Sequence, residues 1–289
     1  MDWRLAVFLG VLQGVTEFLP VSSSGHLVLA QHYLGFPDGG GAAPLFFDGM
    51  LHVGTLVAVL LYFGRELLAH LAQHDPQLAA LEGNPRPVDR RSLVGKGLRL
   101  VLLVGVASLP AVIAVLLFGK QVRASFKDPQ MVAVCLVVLG GVLAASDRIR
   151  PGKTDWKETT LWQALLVGCG QALSALFRGL SRSGMTITAA LLAGLERTWA
   201  VRFSFLMSLV ASLGLGVVGI REALADPTQE EWLTGEFVAL TLLATAISAV
   251  VGYLSIGPLI RVVRKARLWW FSVYLWLVGL TVLIVEWNR

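Results

Sequence analysis

Charge is scarce in this 289-residue chain: Asp, Glu, Lys and Arg make up 15% of it, against about 25% in ordinary soluble domains. So few charges cannot clothe the surface of a soluble two-domain protein of this length, and that class is excluded. Cysteine is scarcer. Cys135 and Cys169 each lie inside an apolar run, without the polar loops of a disulfide framework or the paired spacing of a zinc site, and are read as buried thiols. Low-complexity, collagen-like and acidic disordered stretches are missing too. The net charge of +5 sits in short loops with no aromatic-interleaved basic face, so nucleic acid is not an expected partner. What the chain has in excess is apolar residues, 55% before glycine is added, and this points to the lipid bilayer as its partner.

A hydrocarbon core about 30 Å thick takes roughly 20 apolar residues in a helix. Six runs approach that length, at 45–63, 100–118, 129–145, 203–220, 237–260 and 268–285. Only the first contains acidic, basic or histidine side chains, Asp48 and His52. Residues 5–34 and 161–195 are apolar as well, but Gly, Pro and Ser break each near its middle into arms that mostly cannot span alone. Broken segments survive at membrane depth only where protein encloses them, because their freed backbone groups need partners. They are expected to be re-entrant helical hairpins. The fold class is therefore an all-α polytopic membrane protein, six transmembrane helices plus two hairpins, in one integral domain over 1–289.

The order hairpin and three spans occurs twice, with halves near 1–145 and 155–289, and the hairpins echo each other. Gln13 stands seven residues before Pro20 and Gln171 seven before Arg178; Ser22-Ser23-Ser24-Gly25 follows the first and Ser181-Arg182-Ser183-Gly184 the second. Three spans per half is an odd number, so the second copy enters from the opposite face, an inverted-topology repeat whose broken tips should meet near mid-membrane. If both hairpins return to the side they left, the loops 64–97, 146–160, 196–202 and 261–267 share one face and carry 15 Lys and Arg, against six on the other. The basic face is expected in the cytoplasm and both termini outside. The polar stretch Asp75 to Arg91 is expected to be a solvated cytoplasmic loop. Trp3, Trp199, Trp232, Trp269 and Trp287 fall at span ends, where interface anchors sit. No removable signal peptide is expected, since the first run holds Gln13 and Glu17 and no small-residue cleavage site follows it.

Chemistry concentrates at the breaks. Gln13 and Glu17 are four apart and share a helix face, Pro20 stops that helix, and three serines then surround a small concavity at the next helix start, an anion cradle. The second break puts Arg182 among Ser181, Ser183 and Thr186 just before another helix, a setting that suits a phosphate. A charged group in such a segment costs about 2.5 to 3.5 kcal/mol on insertion scales, which weighs Glu17 and Arg182 toward function. His26 directly follows the serine run and leans the same way. The serines and Gln13 could equally serve close packing and backbone satisfaction. Asp48 and His52 are either a buried structural pair or support for the site, and Arg178 reads first as a local salt bridge.

The string Gln13-x-x-x-Glu17 followed by Pro20-Val-Ser-Ser-Ser-Gly-His26, the segment Leu51-His52-x-Gly54-Thr55, and Ser181-Arg-Ser-Gly-Met-Thr186 followed by Phe203-Ser-Phe-Leu resemble the undecaprenyl-diphosphate phosphatase, or bacitracin-resistance protein, family along nearly the whole chain. The resemblance implies a bacterial inner-membrane enzyme that removes the terminal phosphate of undecaprenyl diphosphate and so regenerates the lipid carrier of peptidoglycan. It implies a site open to the outer face, a prenyl diphosphate lipid as substrate, and a supporting divalent cation, Mg2+ or Ca2+. On that resemblance Glu17, Ser23, His26 and Arg182 are the catalytic candidates and Glu17 with Gln13 the candidate metal ligands; the residues at the two breaks add Ser22, Ser24, Ser181, Ser183 and Thr186 as phosphate-binding candidates. Arg178 departs from the family pattern, which usually has proline there. The attacking group stays open between water, Ser23 and His26, and a homodimer stays open as an assembly. The rival reading is a polyprenyl-phosphate carrier, since paired broken hairpins in an inverted repeat also build secondary transporters.

Overall fold

The computed structural model describes residues 1–36, 42–72, 90–124, 128–150, 152–264 and 268–289. Among them every regular element is a helix: α1 Trp3–Thr16, α2 Ser23–Tyr33, α3 Ala42–Ala72, α4 Arg90–Ala124, α5 Pro129–Ser146, α6 Leu161–Leu176, α7 Arg182–Leu192, α8 Arg197–Ala225, the single turn α9 Gln229–Trp232, α10 Gly235–Arg264 and α11 Trp269–Trp287. Six are long and apolar enough to cross a membrane, α3 over Ala42–Tyr62, α4 over Gly95–Gly119, α5, α8, α10 over Gly235–Val262 and α11, and they coincide with the six runs read from the sequence. The multi-pass membrane class follows. The middle of the polar loop, including Asp75 and Pro85, lies outside the described residues.

Local chemistry sets where the helices begin. Asp2 caps α1 by accepting from the Leu5 amide, and Asp128 caps α5 with Pro129 in its first turn. Thr160 and Gln163 form a reciprocal capping box at the head of α6. The two broken regions resolve into α1 with α2 and α6 with α7, helices of 14, 11, 16 and 11 residues, each under the length a crossing needs.

The main helix pairings all join one half of the chain to the other. Helix α1 lies along α10 as α6 lies along α4; α3 packs on α8 and α5 on α11. The first two seams are closed by glycines at corresponding places in the two hairpins. A β-carbon on Gly10 would lie 2.6 Å from the Ala244 carbonyl oxygen, and one on Gly168 would run into that of Ala107. Backbones approach this closely only where the side chain is a hydrogen, the small-residue packing that membranes favour. Outward faces are apolar, as at Leu98, Val101, Leu116 and Leu117 of α4, while Phe18, Leu136, Leu139, Phe203 and Ile187 fill the interior.

Two expectations fail on facing. Cys135 is buried but Cys169 is exposed on α6, because an all-round apolar helix does not reveal which side meets lipid. Trp199 does not face outward as an anchor does: it is buried and donates its indole N–H to Thr159 Oγ1 at 2.9 Å.

Candidate active site

The two breaks meet. A β-carbon on Gly25 would stand 3.1 Å from the Gly179 α-carbon, and Ser183 Oγ donates to the Leu19 carbonyl at 3.2 Å across 164 residues of chain. Gly179 turns with φ +107° against α5, where a β-carbon would come within 2.6 Å of that of Cys135. The junction therefore requires glycine twice over, for its backbone angle and for its space. On the other side Ser22 adopts φ +71°, the left-handed region that a non-glycine residue enters at a cost, and caps α2 by accepting from the Gly25 amide.

Glu17 is the centre of what gathers there. Its amide donates to the Gln13 carbonyl and so continues the α1 register, which brings Gln13 Nε2 to Glu17 Oε2 at 2.9 Å as the i, i+4 spacing required. Ser23 Oγ donates to the same oxygen at 2.6 Å. His52, from α3, brings Nε2 to 3.4 Å of it, and Arg182, from the first turn of α7, brings Nη1 to 3.4 Å of Oε1. Two hydrogen-bond donors and two basic side chains, from four segments, thus converge on one buried carboxylate. Arg182 Nη1 is itself buried with no hydrogen-bond partner, a donor available to an incoming oxygen.

Backbone carbonyls only accept, so they fix both histidine rings. His26 donates from Nδ1 to the Ser22 carbonyl at 2.8 Å, and in the neutral ring its Nε2 accepts from the Tyr274 hydroxyl, also at 2.8 Å, with the two rings stacked. His52 donates from Nδ1 to the Asp48 carbonyl at 2.8 Å, which aims its Nε2 at Glu17 Oε2, 3.4 Å away. Asp48 and His52 do not pair side chain to side chain. Asp48 instead accepts from Gln31 Nε2 at 2.7 Å and faces Arg178 Nη1 at 3.5 Å, while His52 supports Glu17.

The remaining candidates surround this core. Ser181 caps α7 through the Gly184 amide and lies 3.0 Å from Ser183 Oγ; Ser24 is half-buried at the start of α2. Thr186 is fully buried and spends its hydroxyl on the Arg182 carbonyl at 2.7 Å and Ser204 Oγ at 2.7 Å, which stiffens the turn carrying the arginine. The sequence reading left His52 undecided and missed Tyr274; a lone tyrosine hydroxyl inside an apolar span was the available signal.

A protein-held divalent ion does not fit this donor set. Hard cations of this kind take about six or more oxygen ligands. Gln13 Oε1 is a buried oxygen with no hydrogen-bond partner, but Glu17 Oε2 already accepts from Gln13 and Ser23, and Arg182 stands at Oε1. Among the described residues no three His, Cys, Asp or Glu side chains gather around a common point.

Comparison with known proteins agrees with the motifs. The family model described as bacitracin resistance protein BacA matches residues 6–281. The chain is 40% identical over 283 residues to a protein of Trichlorobacter lovleyi named undecaprenyl-diphosphatase, covering 95% of this chain and 93% of the relative. Proteins of the same name from Alcanivorax borkumensis and Moorella thermoacetica are 36% and 38% identical, each with 98% of both chains covered.

Proposed function

This chain belongs to the bacitracin resistance protein BacA family, and from that premise we propose that it is a membrane phosphatase. It hydrolyses undecaprenyl diphosphate to undecaprenyl phosphate and inorganic phosphate, recycling the cell-wall lipid carrier and conferring bacitracin resistance. The observation that carries the reading at the level of chemistry is the 2.6 Å bond from Ser23 Oγ to Glu17 Oε2, a hydroxyl held against a buried carboxylate as a nucleophile is held against its base. Arg182 and the amides of Arg182 and Ser183 at the head of α7, which have no partners within the helix, take the non-bridging oxygens of the terminal phosphate.

In the proposed reaction Ser23 Oγ attacks the terminal phosphorus as its proton passes to Glu17. The bond from that phosphorus to the bridging oxygen breaks, and the lipid monophosphate leaves. Glu17 gives up that proton toward the departing lipid phosphate and is a base again. Water then attacks the phosphoserine; Glu17 takes the water proton and hands it to Ser23 Oγ as the bond from Oγ to phosphorus breaks, and inorganic phosphate departs with Ser23 restored. His26 lies three residues from Ser23 on the same face of α2, and its Nε2, an acceptor in the neutral ring, once Tyr274 lets go takes the proton that Glu17 gives up and passes it to the leaving phosphate. No step is routed through a metal; Mg2+ or Ca2+ enters this proposal only in company with the diphosphate oxygens.

The same reading places the protein in the bacterial inner membrane, with two re-entrant hairpins, two halves in inverted topology and the site open to the outer face. The 15 bases of the opposite loops and the matched pairing of α1 with α10 and α6 with α4 support it. That matched pairing also favours the rival reading, a polyprenyl-phosphate carrier. Purified protein in detergent separates the two, since nothing can be carried where there is no membrane to cross. Release of inorganic phosphate from a long-chain prenyl diphosphate is the expected result, and lipid binding without release would replace the phosphatase with the carrier.

A further inference from the structure

A second arginine and carboxylate stand directly beside the first pair. Asp48 and His52 are one turn apart on α3, joined by the bond from His52 Nδ1 to the Asp48 carbonyl, and His52 in turn faces Glu17. Arg178 with Asp48 and Arg182 with Glu17 are thus two ion pairs linked through one turn of α3. Arg178 Nη1 lies 3.5 Å from Asp48 Oδ2 and Arg182 Nη1 lies 3.4 Å from Glu17 Oε1, each arginine held by one acid. The Gly179 turn, wedged against α5, holds Arg178 and Arg182 in fixed relation.

We propose that Arg178 is a second phosphate-binding cation, which takes the lipid-linked phosphate of a diphosphate while Arg182 takes the terminal one, so that the site selects diphosphates over monophosphates. The proposal rests on the phosphatase reading for the identity of the ligand. Its physical basis is that each carboxylate keeps another donor when its arginine turns to the ligand: Gln31 remains on Asp48, and Gln13, Ser23 and His52 remain at Glu17. Neither acid is stranded by binding. The order also suits the approach of the lipid, because Asp48 lies nearer than His52 to the Ala42 end of α3, the end assigned above to the outer face. A purely structural pair has no such use for a buried ion, and apolar residues of similar volume would often fill the place at no loss of stability.

The test compares wild type with Arg178→Gln, Arg178→Lys and the charge-neutral double variant Arg178→Gln/Asp48→Asn. Binding of a prenyl methylenediphosphonate, which cannot be hydrolysed at its bridge, and of the matching prenyl monophosphate is measured in detergent, alongside KM for diphosphate hydrolysis. In Arg178→Gln the diphosphonate should bind about tenfold more weakly and KM should rise in step, the scale of one lost charge-assisted contact. Monophosphate affinity should move by less than about twofold, since it depends on Arg182. The lysine variant should fall between. The double variant should keep the defect, because what is missing is a ligand to the substrate. Unchanged diphosphonate binding in Arg178→Gln, or recovery in the double variant, would make the pair structural and overturn the proposal. Absence of hydrolysis by wild type would sink the phosphatase reading alone, as the binding comparison does not depend on it.

Discussion

Tyr274 Oη lies 2.8 Å from His26 Nε2, the ring nitrogen left open by the bond from Nδ1 to the Ser22 carbonyl. The phenol and imidazole also stack, with centroids 5.6 Å apart and planes 7° from parallel, so α11 both aims the histidine and occupies its reactive atom. Tyr274→Phe keeps the stacked ring and removes only the hydroxyl. Turnover should fall about tenfold, near one lost hydrogen bond's worth of orientation, with thermal stability in detergent nearly unchanged. Full activity in the phenylalanine variant would leave Tyr274 as packing only.

The seam between α1 and α10 tolerates no side chain at Gly10, where a β-carbon would meet the Ala244 carbonyl oxygen at 2.6 Å. Gly10→Val must push the helices apart or bend one, at a cost of about 1 to 3 kcal/mol. A drop of several degrees in the thermal midpoint is expected. Gly141→Ala on α5, with nothing within 4 Å, is the matched control and should not move it. Equal behaviour of the two variants would remove the close-packing account.

Much of this was legible in the sequence, and what was not has a common cause. The six spans, the broken hairpins and the meeting of their tips follow from apolar run lengths and from where Pro20, Gly25 and Gly179 fall. Gln13 and Glu17 could be placed together because both sit on one helix four residues apart. The partners that arrive from other helices could not: nothing in a single sequence joins His52 to Glu17, Tyr274 to His26, or Asp48 to both Gln31 and Arg178. Cys169 and Trp199 were misplaced for the related reason that an apolar helix in lipid lacks the polar face that marks an outer surface in water.

Loop charges give a topology that labelling can check. Single cysteines at Gln229 and at Asn84, in a background without Cys135 and Cys169, should react with an impermeant thiol reagent from opposite sides of the membrane. Reaction of both from one side would mean that residues 5–34 or 161–195 hide a full crossing, and the hairpins would not be re-entrant.

Arg182 reaches Glu17 from the head of α7 and has a buried Nη1 with no hydrogen-bond partner. Arg182→Lys keeps the charge but loses the planar fork that holds two phosphate oxygens at once. Phosphate release should drop about 100-fold or more if the arginine acts on the transition state. Near-normal kcat/KM in the lysine variant would reduce Arg182 to a fixed charge.

Glu17→Gln tests the centre of the mechanism, and the surrounding bonds say how it should fail. Glutamine has nearly the same size, and its carbonyl oxygen can still accept from Ser23 or Gln13, so the junction should fold. It cannot take the serine proton, however, nor the proton of the water that would release phosphoserine. A loss of about 100- to 10,000-fold in turnover is expected, the range of a removed general base. Binding should go the other way. The amide nitrogen, turned from the Ser23 side, stands opposite Arg182 Nη1, donor against donor, and no carboxylate remains to neutralise the guanidinium. Arg182 is then left wholly to the ligand, so the variant should hold a prenyl diphosphate at least as tightly as wild type does. Ser23→Ala should match the rate loss without that retained or increased affinity for the lipid diphosphate being a consequence of the lost charge. A Glu17→Gln protein that turns over normally would dismiss the carboxylate as base. One that loses lipid binding along with turnover would show instead that Glu17 holds the site together rather than acting in the reaction.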